Sequence, residues 1–247
     1  MNPDRESSDA TLLCEGCGYV LEGLDAGGAC PECGRPIVES LPGARTGSPF
    51  QNDPTWRGFI RQCVMLIREP GRLFARARIG HSADAPLLFR SVAVASIAAL
   101  APLCGFALAA AGRSSREHDI IAVLMFLFSL WGVFTVLLLV LTTIERVGIT
   151  FFANRRGWRV PPPVARTICA NAAPGWIAAG VLCGIGLCAV PAMLRVARDV
   201  PPPWRTTADA AAASPPLLGF IAGMIVFEML VYVGVRRCRY ANWAARP

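Results

Sequence analysis

Four apolar runs, at roughly 91–111, 120–144, 167–190 and 217–235, constrain this chain more than any other feature. Each is at or close to the roughly 20 residues needed to cross a hydrocarbon layer about 30 Å thick. No water is available there to satisfy the backbone, so runs of this length are expected to be helices. Pro102 and Pro174 interrupt the first and third runs, which membrane helices tolerate better than soluble ones. Composition agrees: 54% of the 247 residues are hydrophobic and 17% are charged, against about 45–50% apolar and about 25% charged in an ordinary soluble domain. A disordered chain and a single soluble core are both excluded. The expected fold class is an all-α integral membrane bundle of about four spans, occupying 86–247, with a small N-terminal head.

Charge is distributed unevenly. Every one of the 24 basic residues is arginine, and 17 acids leave a net charge of +7. Residues 1–40 hold eight acids and two arginines, so the head is acidic and the apolar body is basic. Short-loop arginines are retained on the cytoplasmic side. With four spans and both termini inside, 16 loop and tail arginines lie inside and 5 outside. The sequence therefore predicts a multi-pass protein of the cell membrane with both termini cytoplasmic.

The head, residues 1–40, has no basic segment leading into an apolar one, so no cleavable signal peptide is expected. Residues 41–55, rich in Pro, Gly, Ser and Thr, read as a linker. From Trp56 the spacing becomes helical. Trp56, Phe59, Ile60, Cys63, Val64 and Ile67 share one face, and Arg57, Arg61, Gln62 and Arg68 fall on the other. Pro70-Gly71 breaks this helix, and a short second segment carries Arg72, Arg76 and Arg78. Residues 56–80 are thus predicted as amphipathic interfacial helices, with anionic lipid as the partner of the Arg57–Arg90 flank.

Cys14-x2-Cys17 and Cys30-x2-Cys33 form the most specific motif in the chain. Each pair is followed by glycine, Gly18 and Gly34, which can take the positive φ that wraps a backbone around a metal. Four thiolates suit tetrahedral Zn(II) and leave no position open for water or substrate, so the expected zinc is structural. Short β hairpins or knuckles are expected around it. A mononuclear iron site fits the same spacing. Two disulfides would need an oxidising compartment, against the cytoplasmic placement of the head. Nucleic acid is disfavoured as a partner, because residues 11–39 carry five acids, one arginine and one aromatic residue, Tyr19. A protein partner, or the basic surface of the same chain, is expected instead. The other cysteines, 63, 104, 169, 183, 188 and 238, read as small apolar residues.

Within the spans, Glu228 and Asn171 are the candidate intramembrane polar site. The simplest expectation is a Glu228 held between helices. A transporter or channel subunit using Glu228 is the alternative function. Gly180-x3-Gly184 and Gly219-x3-Gly223 predict close packing of the third and fourth spans. Glu117, His118 and Asp119 form a weak loop cluster. No Ser-His-Asp set, phosphate loop or nucleotide fingerprint is present, and the chain is not expected to be an enzyme. A homo-oligomer is compatible with the sequence.

CEGCGYVLEGL and CPECGRPI, from Cys14 and Cys30, are similar to zinc-ribbon heads of bacterial membrane proteins. VMLIREPGRLFARARI, from Val64 and followed by apolar spans, resembles the segment that leads into the YIP (Ypt/Rab-interacting-protein-like) membrane domain. The resemblance implies a helical bundle with a membrane-organising or adaptor role. The function expected from the sequence is a non-enzymatic membrane protein whose cytoplasmic zinc ribbon serves as an interaction module.

Overall fold

The computed structural model describes residues 11–111 and 117–243, without the side chains of 108–120 and Pro202. Nine α-helices are described: α1 (Pro49–Asn52), α2 (Trp56–Arg68), α3 (Pro70–Arg76), α4 (Asp84–Ala111), α5 (Glu117–Arg155), α6 (Pro162–Ala172), α7 (Trp176–Ala197), α8 (Pro202–Ala213) and α9 (Pro215–Cys238). No sheet forms among the described residues; two isolated antiparallel bridges, Leu13 with Val20 and Ala29 with Pro36, make the knuckles of the head. The backbone of Glu117–Asp119, expected as a loop, opens α5. The side chains of that cluster, with Arg113 and Arg116, lie outside the described residues.

Four helical stretches are long and apolar enough to cross a membrane: Asp84–Ala107, Ile121–Arg155, Pro162–Ala197 and Pro203–Cys238. They are longer than the apolar runs suggest. The 35 residues of the second stretch extend about 50 Å at about 1.5 Å per residue, well beyond a hydrocarbon layer. Its large apolar side chains, Ile121, Leu124, Met125, Phe126 and Phe128 among them, are exposed on the molecule. An exposed apolar surface of this extent marks contact with lipid or another apolar partner. In the third stretch the helix tightens to a 3-10 turn at Ala173–Gly175, where Pro174 supplies no N–H to the ladder.

The chain divides into two compact units. The first gathers residues up to 88, 142–172 and the chain from 230 onward. Segment 41–55, expected as a linker, is part of its interior: Phe50 and Ser48 are fully buried and Arg45 and Gln51 nearly so. A capping box explains the order there. Ser48 accepts from the Gln51 N–H, and Gln51 Oε1 accepts from the Ser48 N–H. Composition suggested a spacer, but each of these polar groups has a fixed partner.

Helix α2 begins at the Thr55 cap and stops at Glu69, before Pro70 opens α3. Its surface has three sectors. Gly58, Phe59, Gln62 and Leu66 are buried. Trp56, Ile60, Val64 and Ile67 form an exposed apolar stripe, and Arg57, Arg61 and Arg68 lie beside it. Phe59 therefore leaves the predicted outer stripe, and Gln62 leaves the predicted polar side. Gln62 is buried because its Nε2 donates to Asn171 Oδ1 at 2.9 Å. Gly234 lets α9 approach closely, since a Cβ there would stand 2.7 Å from Ile168 and 2.9 Å from the Phe74 ring.

The second unit comprises 89–141 and 173–229. Trp176 stacks on Phe227 with ring centroids 4.3 Å apart, and Phe220 sits beside it. The expected contact between α7 and α9 is present at Gly219 and Gly223, whose Cβ atoms would lie 2.4 Å from Leu182 O and 2.1 Å from Ala179 Cα. Gly180 and Gly184 belong to a different contact: they face the carbonyls of Ala95 and Ala98 on α4. The two motifs occupy different faces of the packing because 3.6 residues per turn place Ala179 and Gly180 about 100° apart on α7.

Candidate metal centre

Each half of the head makes the same turn. The Gly18 N–H donates to Cys14 O and the Gly34 N–H to Cys30 O, and both glycines have positive φ. The turns bring Cys14, Cys17, Cys30 and Cys33 together with all four sulfurs within 4.8 Å of one another. Cys14 Sγ and Cys33 Sγ are 3.5 Å apart, and Cys17 Sγ and Cys30 Sγ 3.6 Å. These separations match the edge of a tetrahedron of metal–sulfur bonds of about 2.3 Å, which is about 3.8 Å. They are far from the 2.05 Å or so of a disulfide. Behind the sulfurs, Leu21 and Ile37 complete a small buried core.

Backbone donors tune the sulfurs. Burial works to raise the Cys14 thiol, but the N–H groups of Cys17 and Gly16 and the neighbouring thiols outweigh it and bring it down to about 7. Burial pushes Cys17 up to about 12, helped by the thiols of Cys30, Cys33 and Cys14 against the Tyr19 N–H. At Cys33 the Arg35 N–H favours the thiolate, yet the thiol still lies above its usual range beside Cys14. One sulfur ready to ionise and others that hold their protons is the pattern of four thiols forced together without a cation. A divalent metal would neutralise them, and the donor set fits one. All four donors come from the protein, so the chemistry such an ion would supply is structural.

The head is seated on its own chain. Asn242 Oδ1 accepts from the Leu13 N–H at 3.1 Å, while Asn242 Nδ2 donates to Leu13 O and Ser40 O, both at 2.7 Å. Arg159 donates to Thr11 O and to Asn242 Oδ1, and its guanidinium lies over the Trp243 ring. Arg239 donates to Gly16 O, and the Tyr240 ring covers Gly18. Arg45 grips Glu15 through both nitrogens and also donates to the carbonyls of Phe74 and Ala77. The acidic head thus meets the basic body of the same chain.

Asn171 is buried in the first unit with Gln62 and Thr167 O as its partners. Glu228 belongs to the second unit and lies exposed on α9, because Gly223, Phe227 and Val231 form the buried side of that helix. Sequence reasoning missed Arg45, Gln62 and Asn242. Their local sequence carries no sign of the distant partners that bury them.

No family model, no curated protein and no solved structure matches this chain. The YIP-like resemblance has no family match behind it.

Proposed function

We propose that this chain is a non-enzymatic integral membrane protein whose four-cysteine module, loaded with structural zinc, binds a protein partner. The observation that carries this reading is that the seated head still exposes Tyr19, Val20, Leu24 and Val38. Apolar side chains left outside a folded knuckle are contact residues in waiting. Among the acids of the head, Glu15 and Glu39 are engaged by Arg45 and Arg35, while Glu22, Asp25 and Glu32 remain exposed. The partner is thus a protein with an apolar contact rimmed by basic residues, and nucleic acid is repelled.

The arginine count supports a cell-membrane protein with both termini cytoplasmic. Anionic lipid suits the flank Arg57–Arg90, where α2 offers an apolar stripe beside an arginine stripe. A YIP-like membrane-organising role rests on residues 64–79 alone.

A photo-crosslinking residue at Val38 tests the partner. The expected result is a protein adduct of one defined mass that disappears in Tyr19→Ser and Leu24→Ser with metal content unchanged. Absence of any protein adduct, or an adduct indifferent to both variants, overturns the reading.

A further inference from the structure

The loop between α3 and α4 lines a cavity of about 470 Å³ whose wall, among the described residues, includes Arg78, His81, Ser82, Asn242 and Trp243 and no carboxylate. The loop is fixed from behind. Gln51 Oε1 accepts from the Arg78 N–H at 2.8 Å, and Gln51 Nε2 donates to Arg78 O at 2.9 Å. The Gly80 N–H donates to Thr167 Oγ1 at 2.9 Å, with Gly80 at positive φ. His81 Nδ1 accepts from the Ala83 N–H at 3.1 Å, so the proton of the neutral ring sits on Nε2, which becomes a donor.

Charge in this cavity is unbalanced. Among the described residues, the Arg78 guanidinium donates to the carbonyls of Arg45 and Thr46, at 3.3 and 3.0 Å, and meets no carboxylate. Arg45, the other cation of the wall, is neutralised by Glu15. The nearby Asp84 carboxylate is buried outside the wall, its oxygens accepting from Gln51 Nε2 at 2.9 Å and Thr167 Oγ1 at 2.6 Å. A preformed concavity with one guanidinium that meets no carboxylate among the described residues, an imidazole donor, a hydroxyl and an indole ring calls for an anion.

We propose that this cavity binds a phosphate group, with Arg78 supplying the charge and His81 Nε2 and Ser82 Oγ the neutral hydrogen bonds. A phospholipid headgroup and a soluble phosphomonoester present the same chemistry. The first candidate span begins at Asp84, two residues beyond Ser82, and for that reason the headgroup is the favoured source. The proposal does not depend on a partner for the head.

The test uses the full chain in nanodiscs of phosphatidylcholine with or without phosphatidic acid, followed by native mass spectrometry of retained lipid. A parallel titration uses inorganic phosphate. The expected result is retention of phosphatidic acid by the wild type and a drop of about tenfold in Arg78→Gln, the scale of one charged hydrogen bond. Ser82→Asp places a negative charge at an exposed position that makes no hydrogen bond among the described residues, and lowers retention equally without touching the fold. Arg205→Gln, on α8, leaves retention unchanged. Competition by inorganic phosphate assigns a soluble phosphate; retention unaffected by it assigns the headgroup. Equal retention in the wild type and Ser82→Asp, or no binding of either probe, overturns the proposal.

Discussion

Arg45 and Glu15 form a two-pronged ion pair, Nη2 to Oε2 at 2.9 Å and Nε to Oε1 at 3.1 Å, with only 3% and 8% of their side chains exposed. Burial of both charges makes the pair intolerant of losing one member, because the survivor is left as a buried charge without its counter-ion. Arg45→Met is expected to cost about 3–5 kcal/mol, and Arg45→Met with Glu15→Leu distinctly less than Arg45→Met alone. Thermal melting in detergent, with proteolysis of the head as a second readout, checks the cycle. A double-variant loss equal to the sum of the losses of Arg45→Met and Glu15→Leu alone would show that the pair does not act as a unit.

Removing the metal should loosen residues 239–243 as well as the head, since Gly16, Leu13 and Ser40 are their partners. Chelation of the reduced protein is expected to raise hydrogen exchange across that tail, and Cys14→Ser or Cys33→Ser should do the same without chelator. An exchange rise confined to residues 11–40 would contradict the coupling.

Metal uptake should strengthen as pH rises. Cys17, pushed up to about 12, and Cys33, held above its usual range, carry protons at neutral pH in the metal-free head, whereas Cys14 at about 7 is partly ionised. Binding must displace those protons, so acid opposes it. Calorimetry in buffers of different ionisation enthalpy should register release of at least the protons of Cys17 and Cys33. A pH-independent affinity would refute this.

Gly223→Ala should be costly and Gly132→Ala should not. A Cβ at 223 would stand 2.1 Å from Ala179 Cα, which is backbone and cannot step aside, while a Cβ at 132 meets nothing within 4 Å. The first change is expected to destabilise by about 1–3 kcal/mol, and the second to be neutral or to stabilise by up to about 1 kcal/mol. Melting of the two variants in the same detergent decides between them.

The stripes of α2 predict opposite chemical accessibility. Ile67 is 83% exposed on the molecule, and if lipid covers that stripe, a thiol at 67 should react slowly with a charged, membrane-impermeant maleimide. Arg61→Cys, on the arginine stripe, should react quickly. Equal rates for Ile67→Cys and Arg61→Cys would place the whole helix in water.

The spans and the four cysteines were legible because their signals are local: an apolar run and a CxxC spacing each declare themselves within about 25 residues. Arg45, Gln62 and Asn242 were not, since their partners lie far away in sequence. Asn242 meets Leu13 across 229 positions and Gln62 meets Asn171 across 109. Composition made 41–55 look like a spacer because Pro and Gly count the same whether a turn is packed or free. The glycine motifs identified close approach correctly, but only at Gly219 and Gly223 did they identify the neighbour. Glu228 drew attention by its cost in lipid, and which side of α9 it occupies was settled by Phe227 packing on Trp176.

The seat of the head carries a consequence for biosynthesis. The knuckles can close as soon as residues 11–40 leave the ribosome, but Asn242, which bridges Leu13 and Ser40, is translated only after all four spans. A module able to close early is thus locked in place late, and a chain stalled before Asn242 would carry a finished head with no seat to receive it.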